Sequence, residues 1–415
     1  MTQSKLFEPP GVAIDERLDA ETLNEPLKLP LGHATLIEVD EMRANSALRK
    51  KPQRLSRVRT FLESKDLNFH PSLPLISMSR RPHDSAFEPA WWLRNPHAQT
   101  MWGKFARSSG KVRTRVECLT APDGDNIELR HLDASSDRAP RVLMLHGLEG
   151  TPRSHYVGGF FSEARRRGWG ATLMMFRGCG SAPNLARRFY HSGETTDVAY
   201  VFDTLACRWP RSPWLLAAVS LGGNVLLKWL GELEDRYPRA IAAAAVVSVP
   251  FDLEAGALHI SRGFARLYDR NFVRSLRHKA LAKLARYPDL FDRSALDGAR
   301  TILDFDDAVT APVHGFADAR DYYARASSIG FLSRVRVSTL LLSAVDDPFL
   351  PPAVLERVQR IASQNPALTM EFPRHGGHVG FVAGPFPWRP RYYAERRVFR
   401  FFDVTMERST GNGYD

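Results

Sequence analysis

The chain has 415 residues, of which 44% are hydrophobic and 25% are charged, a composition that indicates a folded globular protein and excludes a disordered one. Its three cysteines are a sparse, odd-numbered set without C-x-x-C spacing, so the sequence suggests neither a disulfide framework nor a zinc site. No apolar run approaches the roughly 20 residues that cross a bilayer, and the amino terminus lacks a signal-peptide pattern, so we expect a cytoplasmic protein.

The net charge of +11 raises the question whether the protein binds anionic partners such as nucleic acid or membrane lipids. Because the basic residues are scattered, we expect no nucleic-acid partner, whereas peripheral contact with an anionic membrane surface stays open. A basic run over residues 49–59 lies within the first 85 residues, which are rich in charge and proline and carry no catalytic motif. This composition predicts a loosely ordered N-terminal extension over residues 1–85 and one folded domain over residues 86–405.

The folded domain has the sequence pattern of an α/β protein. Residues 115–119 and 126–132 alternate on both sides of an Asp-Gly turn, which predicts an antiparallel hairpin. Short apolar runs then alternate with helical stretches, and this alternation predicts a mostly parallel sheet with helices on both faces. The runs that we assign to strands cover residues 141–145, 170–176, 215–219, 241–249, 338–342 and 368–372.

The alternation stops after Asp252 and resumes about 75 residues later. The intervening segment, about residues 253–330, contains helical and loop stretches with many aliphatic and aromatic residues. An insertion at this point would lie over the carboxyl edge of the sheet, where open α/β folds bind their ligands. We therefore predict a helical cap over this edge.

Ser220 lies where a predicted buried strand turns into a predicted helix. Ala218 and Gly222 stand two positions to either side, so the backbone can reverse tightly and expose the hydroxyl. This is an A-x-S-x-G form of the nucleophile elbow. Alone it is weak evidence, because serines between small residues are common.

Two later loops supply an acid and a base in the chain order Ser, Asp, His. His378 stands in a glycine-rich loop after the last predicted strand, and we prefer it as the base to His375, three residues earlier. Asp346 and Asp347 are adjacent candidates for the acid. The spacing from Asp347 to Pro351 favours Asp347, and the choice between the two stays open.

An oxyanion formed by attack on a carbonyl needs backbone N–H donors. The N–H of Leu221, directly after the serine, is one candidate, because it begins a helix. The turn over residues 146–148 offers the N–H of Leu148 as the second. We interpret His146 as a residue that braces this loop.

Taken together, these motifs resemble those of the YheT-type α/β-hydrolases, a family of predicted esterases that also includes acyltransferases. The resemblance covers about residues 87–401 and leaves the first 85 residues unmatched. It implies Ser220, one of the paired aspartates and His378 as a catalytic triad, and ester hydrolysis as the activity. Ala218 departs from the glycine that is usual in relatives. The blocks that carry the resemblance are residues 91–100, 145–150, 176–180, 190–195, 220–224, 305–307, 310–312, 346–349 and 376–381.

We accordingly predict an α/β-hydrolase fold and a serine hydrolase that cleaves carboxylic esters with Ser220, Asp347 and His378, without a metal or an organic cofactor. The aliphatic and aromatic cap favours a small-molecule or lipid ester with a medium-chain or lipid-like acyl group. Two alternatives stay open: alcohol O-acyl transfer from the same acyl-enzyme, and a non-catalytic binding protein with this fold. The sequence does not indicate the natural substrate or the oligomeric state.

Overall fold

The structure is a computed structural model that describes residues 87–107, 112–181 and 184–411. The N-terminal extension predicted over residues 1–85, with its basic run over residues 49–59, lies outside the described residues and stays a prediction. Within the described ranges, no helix is long and apolar enough to cross a membrane.

In the part of the chain that the structure describes, eight strands form one mixed sheet in the order β1-β2-β4-β3-β5-β6-β7-β8. The strands β1 and β2 form the predicted hairpin, β2 runs antiparallel to β4, and all remaining neighbours are parallel. Two further strands of two residues each, β9 and β10, pair antiparallel in a separate ribbon. The strands are β1 Arg115–Thr120, β2 Asn126–Leu132, β3 Arg141–Leu145, β4 Gly170–Met174, β5 Trp214–Val219, β6 Ile241–Val247, β7 Thr339–Leu342, β8 Leu368–Glu371, β9 Val382–Ala383 and β10 Arg391–Tyr392.

The central strands are covered on both faces. Every residue of β3, β4, β5 and β7 is buried. Because successive side chains of a strand point to opposite faces, burial of all of them means that helices cover the sheet from both sides. The strand predicted over residues 241–249 ends at Val247, because Ser248 has a φ of 53°, which is incompatible with a strand.

Twelve α-helices lie within the described residues. The first, α1, begins at a proline and is capped by the side chain of Asn95, which accepts hydrogen bonds from the N–H groups of His97 and Ala98. The helices are α1 Pro96–Ala106, α2 Val157–Arg166, α3 Thr196–Arg208, α4 Leu221–Leu233, α5 Leu253–Ile260, α6 Arg266–Arg286, α7 Arg293–Gly298, α8 Ile302–Phe305, α9 Ala311–His314, α10 Ala319–Ala326, α11 Pro352–Ala362 and α12 Tyr393–Gly411.

The segment between β6 and β7 is helical, and we call its residues 253–330 the cap. It contains α5 to α10, and a π-helical turn, Asp306–Thr310, joins α8 to α9. Helix α6 is the longest of these, with 21 residues. Side chains from α5, α6, α8, α10 and the π-helical turn line a cavity that also contains Ser220. This sheet order, with the cap inserted before β7, is the α/β-hydrolase fold.

Candidate active site

Ser220 occupies a sharp turn between β5 and α4. Its backbone has a φ of 53° and a ψ of −124°, a conformation that costs free energy in any residue other than glycine and is typical of functional sites. A Cβ atom at Gly222 would lie 2.5 Å from the carbonyl oxygen of His146, so only glycine fits there. Ala218 replaces the glycine that is usual in relatives. It is fully buried in β5, so its methyl group fits within the packed strand.

A line of hydrogen bonds joins the predicted serine, histidine and aspartate. The Oγ atom of Ser220 lies 3.0 Å from Nε2 of His378. The Nδ1 atom of His378 lies 2.8 and 3.1 Å from the two carboxylate oxygens of Asp347. The N–H of Phe349 donates to Asp347 at 2.8 Å, and the Phe349 ring stacks on the imidazole with 4.0 Å between centroids. These contacts hold the imidazole in one orientation.

The rival residues form a second pair beside the first. The Nδ1 atom of His375 lies 3.1 Å from Asp346, whose other oxygen accepts a hydrogen bond from the N–H of Gly377 at 2.9 Å. Burial raises the pKa of Asp346. His375 is about half exposed and pairs with Asp346. The imidazole that reaches Ser220 is that of His378, and the carboxylate behind that imidazole is that of Asp347.

Two side chains that the sequence analysis did not single out hold the loop of His378. The N–H of His378 donates to the hydroxyl of Thr100 in α1 at 2.9 Å. The N–H of Val379, which has a φ of 58°, donates to the buried hydroxyl of Ser248 at 3.0 Å. The sequence contained a signal for Ser248, because it is a polar residue at the carboxyl end of an apolar strand. Thr100 ends the first block of the family resemblance, and its contact depends on tertiary packing.

The two predicted oxyanion donors lie at the cavity that contains Ser220. Both Leu148 and Leu221 line it, and Leu221 begins α4, where the first N–H groups have no partner within the helix. His146 is fully buried, and its Nδ1 and Nε2 contact the carbonyl of Gly147 at 2.7 Å and the N–H of Phe176 at 3.1 Å. Burial lowers the pKa of His146 to about 4, so a neutral imidazole braces the loop, as the sequence suggested.

Charged side chains tie this loop to the cap. Glu149 accepts hydrogen bonds from Tyr190 at 2.9 Å and from Lys279 of α6 at 2.7 Å, and it also contacts Ser275. Glu149 has a φ of 54°, so the loop is strained at the point where the cap contacts it. The position of α6 is thereby coupled to the loop that carries Leu148.

Two cavities adjoin at the site. The first, about 100 Å³, contains Ser220 and His378 and has a largely apolar wall. The second, about 380 Å³, lies beyond Leu148 and Leu221 and is more polar. Apolar residues of the first cavity include Leu253, Ala257, Ile260, Phe272, Phe349 and Leu350. Within the described ranges, no group of three or more His, Cys, Asp or Glu side chains is arranged to hold a metal ion.

Comparisons with known proteins agree with this fold. The family model of the alpha/beta hydrolase fold matches residues 140–385, more than half of the chain. The chain therefore belongs to the α/β-hydrolase family.

Within that family it is similar to YheT of Escherichia coli (strain K12), with 37% identity over 77% of this chain and 94% of that protein. It is also 28% identical to phospholipase ABHD3 of Mus musculus, over 87% of this chain and 86% of that protein. Monoacylglycerol lipase of Saccharomyces cerevisiae is 31% identical over 67% of this chain and 62% of its own length. The YheT-type resemblance inferred from the motifs is thus confirmed.

Proposed function

We propose that this carboxylic ester hydrolase forms its acyl-enzyme on Ser220. The Oγ atom attacks the ester carbonyl while Nε2 of His378 accepts the hydroxyl proton. Asp347 orients the imidazole and stabilises its positive charge. The tetrahedral intermediate collapses, and the leaving alkoxide takes the proton from His378. Water, deprotonated by the same imidazole, then attacks the acyl-enzyme. The second tetrahedral intermediate collapses to release the carboxylic acid, and Oγ of Ser220 takes the proton back from His378.

The backbone N–H groups of Leu148 and Leu221 are the proposed donors to the oxyanion. Both N–H groups are held in place before substrate binds. The loop braced by His146 holds that of Leu148, and the start of α4 holds that of Leu221. Preorganised donors of this kind lower the barrier without reorganisation during the reaction, and each is worth about two to three orders of magnitude in rate.

The observation that carries the proposal is the unbroken line of hydrogen bonds from Ser220 through His378 to Asp347. A serine hydroxyl is a poor nucleophile unless a base accepts its proton and an acid orients that base. The line begins at a strained residue and opens into a cavity large enough for part of a substrate. A structural role explains neither the strain nor the opening.

For the substrate we propose an ester with a medium-chain or lipid-like acyl group. The wall of the first cavity is apolar, so burying an acyl chain there removes hydrocarbon from water, at about 0.8 kcal/mol for each CH₂ group. Two of the similar proteins are named as lipases of phospholipids and of monoacylglycerols. Turnover of a series of p-nitrophenyl esters should rise from the acetyl to the medium-chain ester, and faster turnover of the acetyl ester would contradict this substrate class.

Labelling with a fluorophosphonate probe tests the nucleophile. The native protein should take one label, and Ser220→Ala should take none. Ser192→Ala is the matched control, because Ser192 lines the same cavity, whereas the hydroxyl that lies on Nε2 of His378 is that of Ser220. This control variant should keep the label. Labelling of a folded Ser220→Ala variant would show that another residue is the nucleophile and would overturn the proposal.

A further inference from the structure

A buried carboxyl group, that of Asp306, lies where the two cavities meet. Asp306 begins the π-helical turn of the cap and lines both cavities. Such turns are rare and occur frequently at functional sites, because they direct one side chain out of the regular helical register. The mechanism described above leaves Asp306 without a role, although it shares a cavity with Ser220.

The surroundings of Asp306 make its burial costly. One carboxylate oxygen accepts a hydrogen bond from Thr310 at 2.6 Å, and the other accepts one from Tyr323 at 2.7 Å. No Lys or Arg side chain of the described ranges forms an ion pair with it, and burial raises its pKa to about 6. A buried carboxyl group without a cationic partner destabilises a fold, so its presence beside a cavity indicates a function.

The carboxyl group has acceptor capacity left. Two oxygens offer about four acceptor positions, and the two hydroxyl donors occupy two of them. The remaining positions are available to a group that enters the cavities, since Asp306 lines both. A hydrogen-bond donor that enters the cavities loses its hydrogen bond to water. A hydrogen bond to Asp306 would replace the one that is lost.

The position of Asp306 is fixed relative to the nucleophile. Tyr323, which holds it, belongs to α10, and the carbonyl of Ala326 at the end of that helix accepts a hydrogen bond from Asn224 at 2.8 Å. Asn224 lies in α4, the helix that begins directly after Ser220, and it also accepts from the N–H of Ser328 at 2.8 Å. A donor bound at Asp306 is therefore held at a set distance from Ser220.

The basic residues of the second cavity restrict what that donor can be. Lys283 and Arg286 line it as cations, whereas the charge of Lys279 is compensated by Glu149. Lys283 is buried with its ammonium group on the carbonyl oxygen of Asn184 at 3.0 Å. Coulomb repulsion from these cations disfavours an ammonium group on the substrate. A neutral hydroxyl group satisfies the carboxylate without that repulsion.

We propose that Asp306 is a specificity-determining residue that accepts a hydrogen bond from a hydroxyl group of the ester substrate. The proposal rests on the ester hydrolysis proposed above. The hydroxyl belongs either to the alcohol part or to the acyl part of the ester, close to the scissile bond. The recognised substrates are hydroxylated esters, and esters without the hydroxyl bind less well because they leave the carboxyl group without its partner.

The test compares kcat/KM for three esters: methyl decanoate, 1-decanoylglycerol with hydroxyls in the alcohol part, and methyl 3-hydroxydecanoate with one in the acyl part. In the native protein we expect at least one hydroxylated ester to be preferred to methyl decanoate by tenfold or more. Asp306→Asn should reduce that preference by about ten- to hundredfold. The ester whose preference falls identifies the part that carries the hydroxyl.

The matched control is Asp307→Asn, which changes an exposed neighbour that accepts a hydrogen bond from the N–H of Ala319 at 3.0 Å. It should keep the preference. An equal loss for all three esters in Asp306→Asn would show a purely structural role and overturn the proposal, as would an unchanged preference.

If Asp306→Asn does not fold, inhibition of the native protein decides the question. Either 1-O-decylglycerol or 3-hydroxydecyl methyl ether should inhibit at least tenfold more strongly than decyl methyl ether, and three equal inhibition constants would overturn the proposal. Loss of methyl decanoate hydrolysis in Ser220→Ala tests the proposed function separately, so the two failures can be distinguished.

Discussion

Replacing Asp347 by asparagine removes the negative charge beside His378 and keeps the size of the side chain. In the proposed mechanism the imidazole becomes positively charged, with the carboxylate oxygens 2.8 and 3.1 Å from its Nδ1 atom. Both side chains are largely buried. Two unit charges about 4 Å apart interact by about 4 kcal/mol at an effective dielectric constant near 20. Because about 1.4 kcal/mol corresponds to a factor of ten, kcat should fall by about a thousandfold.

The neighbouring residue supplies the matched control. Asp346 is also buried and also contacts a histidine, but that histidine is His375, which does not contact Ser220. Asp346→Asn keeps an acceptor for the N–H of Gly377, so we expect its kcat to fall by less than tenfold. Both variants would be assayed with a medium-chain p-nitrophenyl ester after their folding has been checked by circular dichroism.

Two results would refute this reasoning. A folded Asp347→Asn variant that keeps more than a tenth of the native kcat would show that its charge does not stabilise the transition state. An equal loss in both variants would show that the loop tolerates no change at either position, and the separate roles of the two aspartates would then be wrong.

Three further predictions concern the surrounding structure. Gly147→Ala should lower kcat tenfold or more with little loss of stability, because its Cβ would lie 3.1 Å from Cβ of Ser220. Arg177→Met should lower the free energy of unfolding by about 3–5 kcal/mol, measured in urea, because the fully buried guanidinium pairs with buried carboxylates. Stability should fall as pH decreases from about 6.5 towards 4, in part because burial lowers the pKa of His131 to about 4, and the unfolded chain takes up the proton first.

Each of these predictions has a contradicting result. Native kcat in Gly147→Ala would mean that the loop moves away from the serine at no cost. A loss below about 1 kcal/mol in Arg177→Met would mean that the carboxylates find other partners. For the third, His131→Gln should weaken the dependence of the melting temperature on pH, and an unchanged dependence would assign it to other groups.

Much of the fold follows from local sequence pattern. The strand predicted over residues 141–145 coincides with β3, and the hairpin around the Asp-Gly turn is present with Gly124 at a φ of 78°. These features depend on the alternation of buried side chains and on turn residues a few positions apart. Both can be read from the sequence, because they involve only residues that are close together in the chain. The ribbon of β9 and β10 was not predicted, because two-residue strands carry too little pattern.

The site divides in the same way. Sequence patterns were enough to predict the α/β-hydrolase fold class and to select Ser220 and His378 as candidates, because a tight elbow and a glycine-rich loop are local patterns with strong backbone requirements. Which of Asp346 and Asp347 lies against His378 does not follow from local pattern, because the two are adjacent and chemically identical. The direction of each side chain depends on a loop packed against residues about 30 positions away, and in the folded chain Asp347 contacts His378 while Asp346 contacts His375. The tertiary structure also brought Asp306 to the cavity of the serine, a contact set by how the cap packs on the sheet.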